Sequence, residues 1–391
     1  MSTEERLLLI TNRYPAGPND TASPFVYDFR MALKRLGTDV DIVTPSYNSY
    51  SDESLYIDKS VHTFEWSDGR RVISQLPLYN PASYIKIRRY FLNGLKSGAD
   101  LLERKNYDAI LALWAAPSGY IAYKLSQEYC IPYAVWALGS DINSWAKLPF
   151  VGGIILRVLK NADMLYADGY GLAMKVQSLS ERSCRFIPSY HAVDIEQAIN
   201  DNPDRQFICV GRVEKSKGVF DLLEAFRLFL KDFPDWKLQY VGTGMAENKL
   251  KHLIESYRLK DSIVCHGYLT RAEVNRLLCQ SVAAIIPSHS DSLPLTFGEA
   301  LQAGVPLICS DVGDMPYFIE KYKVGCHYHV GHIDELLESM KIAVQKHNSL
   351  AANCPRALAE LDISNSARAV VEWMKSLKIN QKSMEFAHAD S

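Results

Sequence analysis

Two cations, Arg212 and Lys217, stand inside the run Gly211-Arg-Val-Glu-Lys-Ser-Lys-Gly218, between the apolar stretch Phe207–Val210 and a helical stretch from Val219 to Lys231. A strand that opens through glycines into a helix aims unpaired backbone N–H groups and the positive end of the helix dipole at one spot, and the two side chains add full positive charge there. The chemistry this suits is phosphate binding. A βα turn whose Arg and Lys are merely solvated has the same local sequence, because short glycine motifs match by chance. A second segment weighs against that reading: Pro287-Ser-His-Ser-Asp291-Ser-Leu-Pro-Leu-Thr296-Phe-Gly-Glu299-Ala-Leu-Gln-Ala-Gly304 carries two carboxylates, Asp291 and Glu299, on a loop that runs into a helix near Thr296. The helix start offers the N–H groups of Leu295 and Thr296. A diphosphate between that start and the Arg212/Lys217 loop has its charge opposed from two sides, which stabilises it as a leaving group.

The two segments together resemble the carboxyl half of family 4 glycosyltransferases (glycosyl transferases group 1), retaining enzymes of the GT-B fold. Their pattern is a Gly-Arg…Lys-Gly loop followed by two acidic residues with seven between them, the spacing of Asp291 and Glu299. The likeness is strong over 207–313 and diffuse elsewhere. It implies an α/β chain of GT-B type, two Rossmann-like doubly wound domains facing a cleft. The donor, a nucleotide sugar, would be held mainly by residues 205–330, and a glycan or lipid-linked acceptor by the first domain. Arg212 and Lys217 would take the diphosphate, Glu299 the ribose hydroxyls and Asp291 the sugar, while Tyr268, in His266-Gly-Tyr268, would neighbour the base. Neither metal nor cofactor is implied, since the nucleotide sugar is itself a substrate. The family usually has Glu where Asp291 stands, so the carboxylate is one methylene short. In Trp136-Ala-Leu138-Gly-Ser-Asp141 a leucine occupies the place of a histidine common beside the reacting sugar, which removes a side-chain role there; a front-face retaining mechanism can use a backbone carbonyl at this point. Asp141 is then a candidate on the acceptor or sugar side, or else a turn-capping aspartate. The loop Tyr14–Pro24 lies where the family carries paired glycines, but it shows Thr21-Ala22-Ser23.

The elements that must position these residues alternate along the chain, which implies parallel sheets with crossover helices. Strands are expected at Arg6–Thr11, Val40–Thr44, Ala109–Trp114 and Tyr133–Leu138, with helices at Phe25–Leu36, Ser118–Tyr129 and Gly152–Asn161, the last followed by Met164–Ala167. A second series follows the polar stretch 200–204. Its strands are expected at Phe207–Val210, Trp236–Val241, Ser262–Cys265, Ala283–Pro287 and Pro306–Ser310, and its helices at Phe220–Lys231, Ala246–Tyr257, Arg271–Gln280 and Thr296–Ala303. Val241-Gly-Thr-Gly244 repeats the strand–glycine–helix logic and suits a tight connection better than a ligand contact. The expected domains are 1–200 and 201–375, with a frayed tail at 376–391 and helical periodicity over Glu335–Gln345 and Ala359–Met374.

Composition sets outer bounds. A chain of 391 residues with 48% hydrophobic and 23% charged residues suits two globular domains. A net charge of −2 argues against whole-surface attraction to nucleic acid. Eight scattered cysteines without a C-x-x-C pair suit buried thiols in a reducing compartment, hence a cytosolic protein, and no apolar run reaches a membrane span. Asp39-Val40-Asp41 resembles a metal-binding D-x-D but opens a strand whose side chains alternate, and His327, His329 and His332 have the spacing of surface histidines, so no metal is expected. Tyr84–Leu92 and Trp145–Lys160 mix basic with aromatic and aliphatic residues. They suit either core helices with snorkelling cations or peripheral contact with the inner face of a membrane. Besides transfer, the same residues are open to a catalytically silent nucleotide-sugar-binding partner or a nucleotide-sugar epimerase of the same fold.

Overall fold

The computed structural model describes residues 5–17, 20, 23–47, 56–67, 73, 76, 80–190 and 202–389, with side chains described to residue 379. Thirteen strands are seen among them. The first seven are β1 (Arg6–Ile10), β2 (Asp39–Pro45), β3 (Val61–Phe64), β4 (Ala109–Leu113), β5 (Tyr133–Ala137), β6 (Met164–Ala167) and β7 (Arg185–Phe186); they form one parallel sheet in the order β3-β2-β1-β4-β5-β6-β7. The other six are β8 (Gln206–Val210), β9 (Lys237–Val241), β10 (Ile263–Cys265), β11 (Ala283–Ile286), β12 (Leu307–Ser310) and β13 (Gly325–Tyr328), in the order β10-β9-β8-β11-β12-β13, again all parallel. Both orders reverse direction once, beside the first strand of the series, so each sheet is doubly wound and has a topological switch point: β1/β4 in one, β8/β11 in the other.

The strand sequences follow from that layering. Helices cover both faces of a parallel sheet, so its central strands read as continuous apolar runs. Ala109–Leu113 and Tyr133–Ala137 are buried at every position.

The chain divides into two compact units, Met1–His191 with Ile363–Ser391, and Ala192–Asp362. The boundary expected at 200/201 lies outside the described residues. The expected membership of 363–375 in the second domain is corrected: after Asp362 the chain returns to the first unit, where Ile363, Ala367, Val370 and Met374 are fully buried with Leu7, Leu9 and Phe29. Ile363 N–H donates to the Tyr190 carbonyl (2.7 Å) and Ser366 Oγ to the Pro188 carbonyl. Periodicity announces this helix but cannot say which sheet its apolar stripe covers. The helix Ile363–Ala389 runs on into the expected tail at 376–391.

In the first unit Asp41 is buried, and its carboxylate receives Lys105 Nζ (2.7 Å), Tyr107 Oη (2.7 Å) and His62 Nε2 (3.2 Å). Burial works to raise this carboxyl, but the three hydrogen bonds outweigh it and hold the group well below the usual carboxylate range. His327 pairs with Glu320, and His329 and His332 both face Glu335. No helix among the described residues is long and apolar enough to cross a membrane.

Candidate active site

The site of the second unit is built at the carboxyl ends of β8 and β11. After β8 the chain runs through Gly211–Gly218 into the helix Val219–Phe229; after β11 it runs through Pro287–Pro294 into the helix Leu295–Gln302. Gly218 joins the two loops. Its φ is +65°, and a Cβ there would lie 1.8 Å from the Pro287 carbonyl oxygen, so only glycine permits both the turn and the approach. The Ser216 carbonyl accepts from His289 N–H (2.9 Å), and His289 Nε2 meets Asp221 Oδ2 at 2.7 Å, tying the second loop to the helix that follows the first. Gly313, at φ +60°, comes up beneath the other end: a Cβ would sit 2.0 Å from the Ser292 carbonyl and 2.4 Å from that of Asp291. The backbone at Gly313 thus leaves no room for a side chain beneath Asp291 and Ser292.

Between the loops lies a cavity of about 150 Å³ whose walls include Gly211, Arg212, Lys217, Asp291, Pro294 and Thr296. The structure therefore brings four of the expected residues together. Lys217 is mostly buried, and its ammonium donates to both Asp291 oxygens, at 2.8 and 2.7 Å. Arg212 is largely exposed, with Nη1 on Glu214 Oε1 at 2.8 Å. Thr296 Oγ1 donates to the Val210 carbonyl (3.2 Å), which pins the helix start to the end of β8. Pro294 precedes that helix without a side-chain cap. Among the described residues the N–H groups of Leu295 and Thr296 meet no acceptor, so two donors and the helix dipole remain for an anion.

Glu299 lies one turn on. Its carboxylate is partly buried and has no hydrogen-bond partner among the described residues; burial pushes its acidity toward the neutral form, opposed by the field of Arg271. A carboxylate kept in this state is a ready acceptor for hydroxyl donors. Tyr268 projects into solvent, 70% exposed, from the turn after β10, where the Gly267 carbonyl accepts from Gly242 N–H (2.7 Å). Val241–Gly244 is a packing turn: Gly211 N–H donates to the Val241 carbonyl and Val213 N–H to that of Thr243.

The eighth candidate, Asp141, is elsewhere and differently employed. It sits after β5 in the first unit with no exposed surface, accepting from the N–H groups of Ala115 (2.7 Å), Gly139 (3.0 Å), Ile142 (3.1 Å) and Leu138 (3.3 Å). Four donors match the lone-pair sites of one carboxylate. Burial pushes its acidity toward the neutral form, and the four donors pull it back. Of the two readings of this residue, the geometry is that of the turn-capping aspartate. In the loop after β1, Thr21 and Ala22 lie outside the described residues. His289 and Gly313 were not singled out in the sequence: a lone histidine and a lone glycine, each far in the chain from what it touches, carry no local signal.

Residues 193–357 match the family of glycosyl transferases group 1. Both switch-point loops and every second-unit candidate lie within that span. A Bacillus subtilis (strain 168) protein, TuaC, assigned as a teichuronic acid biosynthesis glycosyltransferase, is 25% identical over 346 residues, 81% of this chain and 84% of that one. N-acetyl-alpha-D-glucosaminyl L-malate synthase of Bacillus anthracis is 24% identical over 60% of this chain and 64% of its own length. Among solved structures, sucrose-phosphate synthase from Thermosynechococcus elongatus superposes with a TM-score of 0.73 at 16% identity, covering 96% of this chain and all of the other. HepE of Anabaena, in complex with UDP, gives 0.69 at 13% identity over 95% of this chain and all of the other. The fold is GT-B. The group 1 family and the relatives' names support glycosyltransferase activity.

Proposed function

We propose that this chain is a retaining glycosyltransferase of family 4 that moves a hexose from a nucleoside-diphosphate sugar to a glycan or lipid-linked acceptor, in the cytosol and without a divalent ion. The observation that carries the reading is the convergence of Lys217, Arg212 and the uncapped start of the helix Leu295–Gln302 on one small cavity at a switch point, with the unpartnered Glu299 a turn further on. Open doubly wound sheets bind ligands at that place. The leaving diphosphate gains charge as the glycosidic bond breaks, and fixed N–H groups with two side-chain cations oppose it. Glu299 accepts from the ribose hydroxyls, and Tyr268 lies beside the base. Asp291 faces the sugar, with one methylene less than the family's usual glutamate. Retention places the acceptor hydroxyl on the face that the diphosphate leaves, so its proton passes to a departing phosphate oxygen. The acceptor falls to the first unit. Scattered cysteines, all of them free, support the cytosolic setting.

Calorimetric titration with a panel of nucleoside diphosphates, UDP first because HepE was solved with it, identifies the donor base. Mass spectrometry of acceptor mixtures then looks for a hexose added in the presence of excess chelator. Tight diphosphate binding with no product on any acceptor would favour the silent partner, and activity restored only by magnesium or manganese would overturn metal independence.

A further inference from the structure

The helices Pro81–Arg104 and Val151–Asn161 both pack against the helix Ser118–Tyr129 in the first unit. Positions Gly94 and Gly98 meet Ile121 and Leu125 on one side of it, and Val158 meets Gly119 on the other. Gly94 is the fourteenth residue of its helix but Ile121 the fourth of the central one, and Val158 is the eighth of its helix but Gly119 the second. Each neighbour therefore overhangs the central helix by its first turns, roughly 15 Å for Pro81–Arg104 and roughly 9 Å for Val151–Asn161 at 1.5 Å per residue. As crossover helices of one parallel sheet, both overhang in the same direction, past the carboxyl edge of its strands.

The overhanging turns expose what a soluble surface usually hides. Tyr84 is 60% exposed, Ile85 71% and Phe150 91%, with Leu148 and Ile154 also exposed. Phe150 stands at φ +65°, an unusual conformation for a bulky residue, which thrusts its ring outward at the helix start. Around these side chains the charge has one sign. Neither 80–99 nor 142–162 contains a single Asp or Glu. Lys86, Arg88, Lys147 and Arg157 meet no acidic side chain among the described residues, while Arg89 and Lys160 only approach Glu65 and Glu181 at 3.7 Å. In a chain of net charge −2 this is a strongly local excess.

We propose that this overhang is a docking surface for an anionic lipid bilayer, with Phe150 and Ile154 entering the interface and the surrounding lysines and arginines lying at the headgroups. A membrane matches both properties at once. Apolar tips enter the acyl boundary and cations gain from the negative surface potential, whereas an uncharged apolar partner would leave the cations desolvated. The inference does not depend on the transfer reaction, and its test does not use it.

Sedimentation of the full chain with vesicles of equal parts phosphatidylglycerol and phosphatidylcholine, beside vesicles of phosphatidylcholine alone, decides it. The expected result is binding to the anionic vesicles, falling as salt is raised, and little binding to the neutral ones. The double substitution Phe150→Asp with Ile154→Asp should weaken it by about tenfold or more. Both side chains are exposed, so thermal melting should be unchanged and nucleoside diphosphate affinity retained. Equal binding to both vesicle types, no binding to either, or full binding by the double variant would each overturn the proposal. So would dimers that disappear in the variant, since they would make the surface a contact between copies of this chain.

Discussion

The two switch points make an instructive pair. In both units a strand of the same rank opens into a loop beside the first strand across the reversal, yet the polar groups are spent in opposite ways. At β8/β11 a cavity is left, and among the described residues two helix N–H groups meet no acceptor and Glu299 has no hydrogen-bond partner. At β1/β4 several polar groups are paired with one another among the described residues. Asn12 Oδ1 accepts from Ser118 Oγ (2.6 Å) and Tyr90 Oη (3.3 Å), its carbonyl takes Tyr47 Oη (2.8 Å), and the nearby turn is closed on Asp141. Topology provides the location of a site, and the hydrogen-bonding capacity left there bears on what it can hold.

The largest effect that would break this comparison is expected at Asp141. Asp141→Ala strands four buried N–H groups and should cost about 2–4 kcal/mol of stability in denaturant titration, while diphosphate affinity of the folded protein stays the same. An affinity loss matching that of a phosphate-site variant would restore Asp141 to the ligand. Next comes Lys217→Ala, with the reverse signature: diphosphate binding weaker by about 1.5–3 kcal/mol in calorimetry and stability nearly unchanged. Arg212→Ala should act in the same direction but less, its guanidinium being exposed to screening solvent. Unchanged affinity in both variants would remove the phosphate site.

A smaller and less intuitive effect should appear at Asp291. Because this carboxylate pairs with Lys217, it competes with the phosphates for the same ammonium. Asp291→Asn should therefore tighten free diphosphate binding by about 0.5–1.5 kcal/mol while slowing transfer, since the sugar loses its acceptor. Weaker diphosphate binding in this variant would show that Asp291 supports the loop. The smallest effect concerns pH. On the proposed reading Glu299 serves the ribose as an ionised acceptor, and burial raises its pKa. Diphosphate affinity should thus begin to fall at a higher pH than the ordinary glutamate value of about 4.3 would set, and Glu299→Gln should flatten that part of the profile. A profile identical in wild type and variant would detach Glu299 from the nucleoside.

Much of this contrast was legible in the chain. Strands such as Phe207–Val210 and Ala283–Ile286 are short apolar runs ended by glycine or proline, and glycines mark the loop that presents Arg212 and Lys217. Of the helix Pro81–Arg104 only Tyr84–Leu92 was read as open to a core helix. Its Gly94 and Gly98 look like breakers, yet they are small because Ile121 and Leu125 approach within 2.7 and 2.4 Å of where a Cβ would be. The helix Tyr170–Ser180 and the short strands β3 and β7 were missed as well, since their apolar patterns are brief and are completed by neighbours distant in sequence. In the site, the Lys217–Asp291 pair joins residues 74 apart, and the direction in which Asp141 points depends on Ala115 across the sheet. Such pairings exist only once the strands are laid side by side.

The return of the chain after Asp362 bears on how the protein is made. Unit Ala192–Asp362 is contiguous and can close as soon as it leaves the ribosome, but the sheet beginning at Arg6 keeps the face around Leu7, Leu9 and Phe29 uncovered until Ile363–Met374 arrives. In the nascent chain the second unit should gain protease resistance before the first, although the first was synthesised earlier. Over that interval the exposed apolar face is a place for a chaperone to bind.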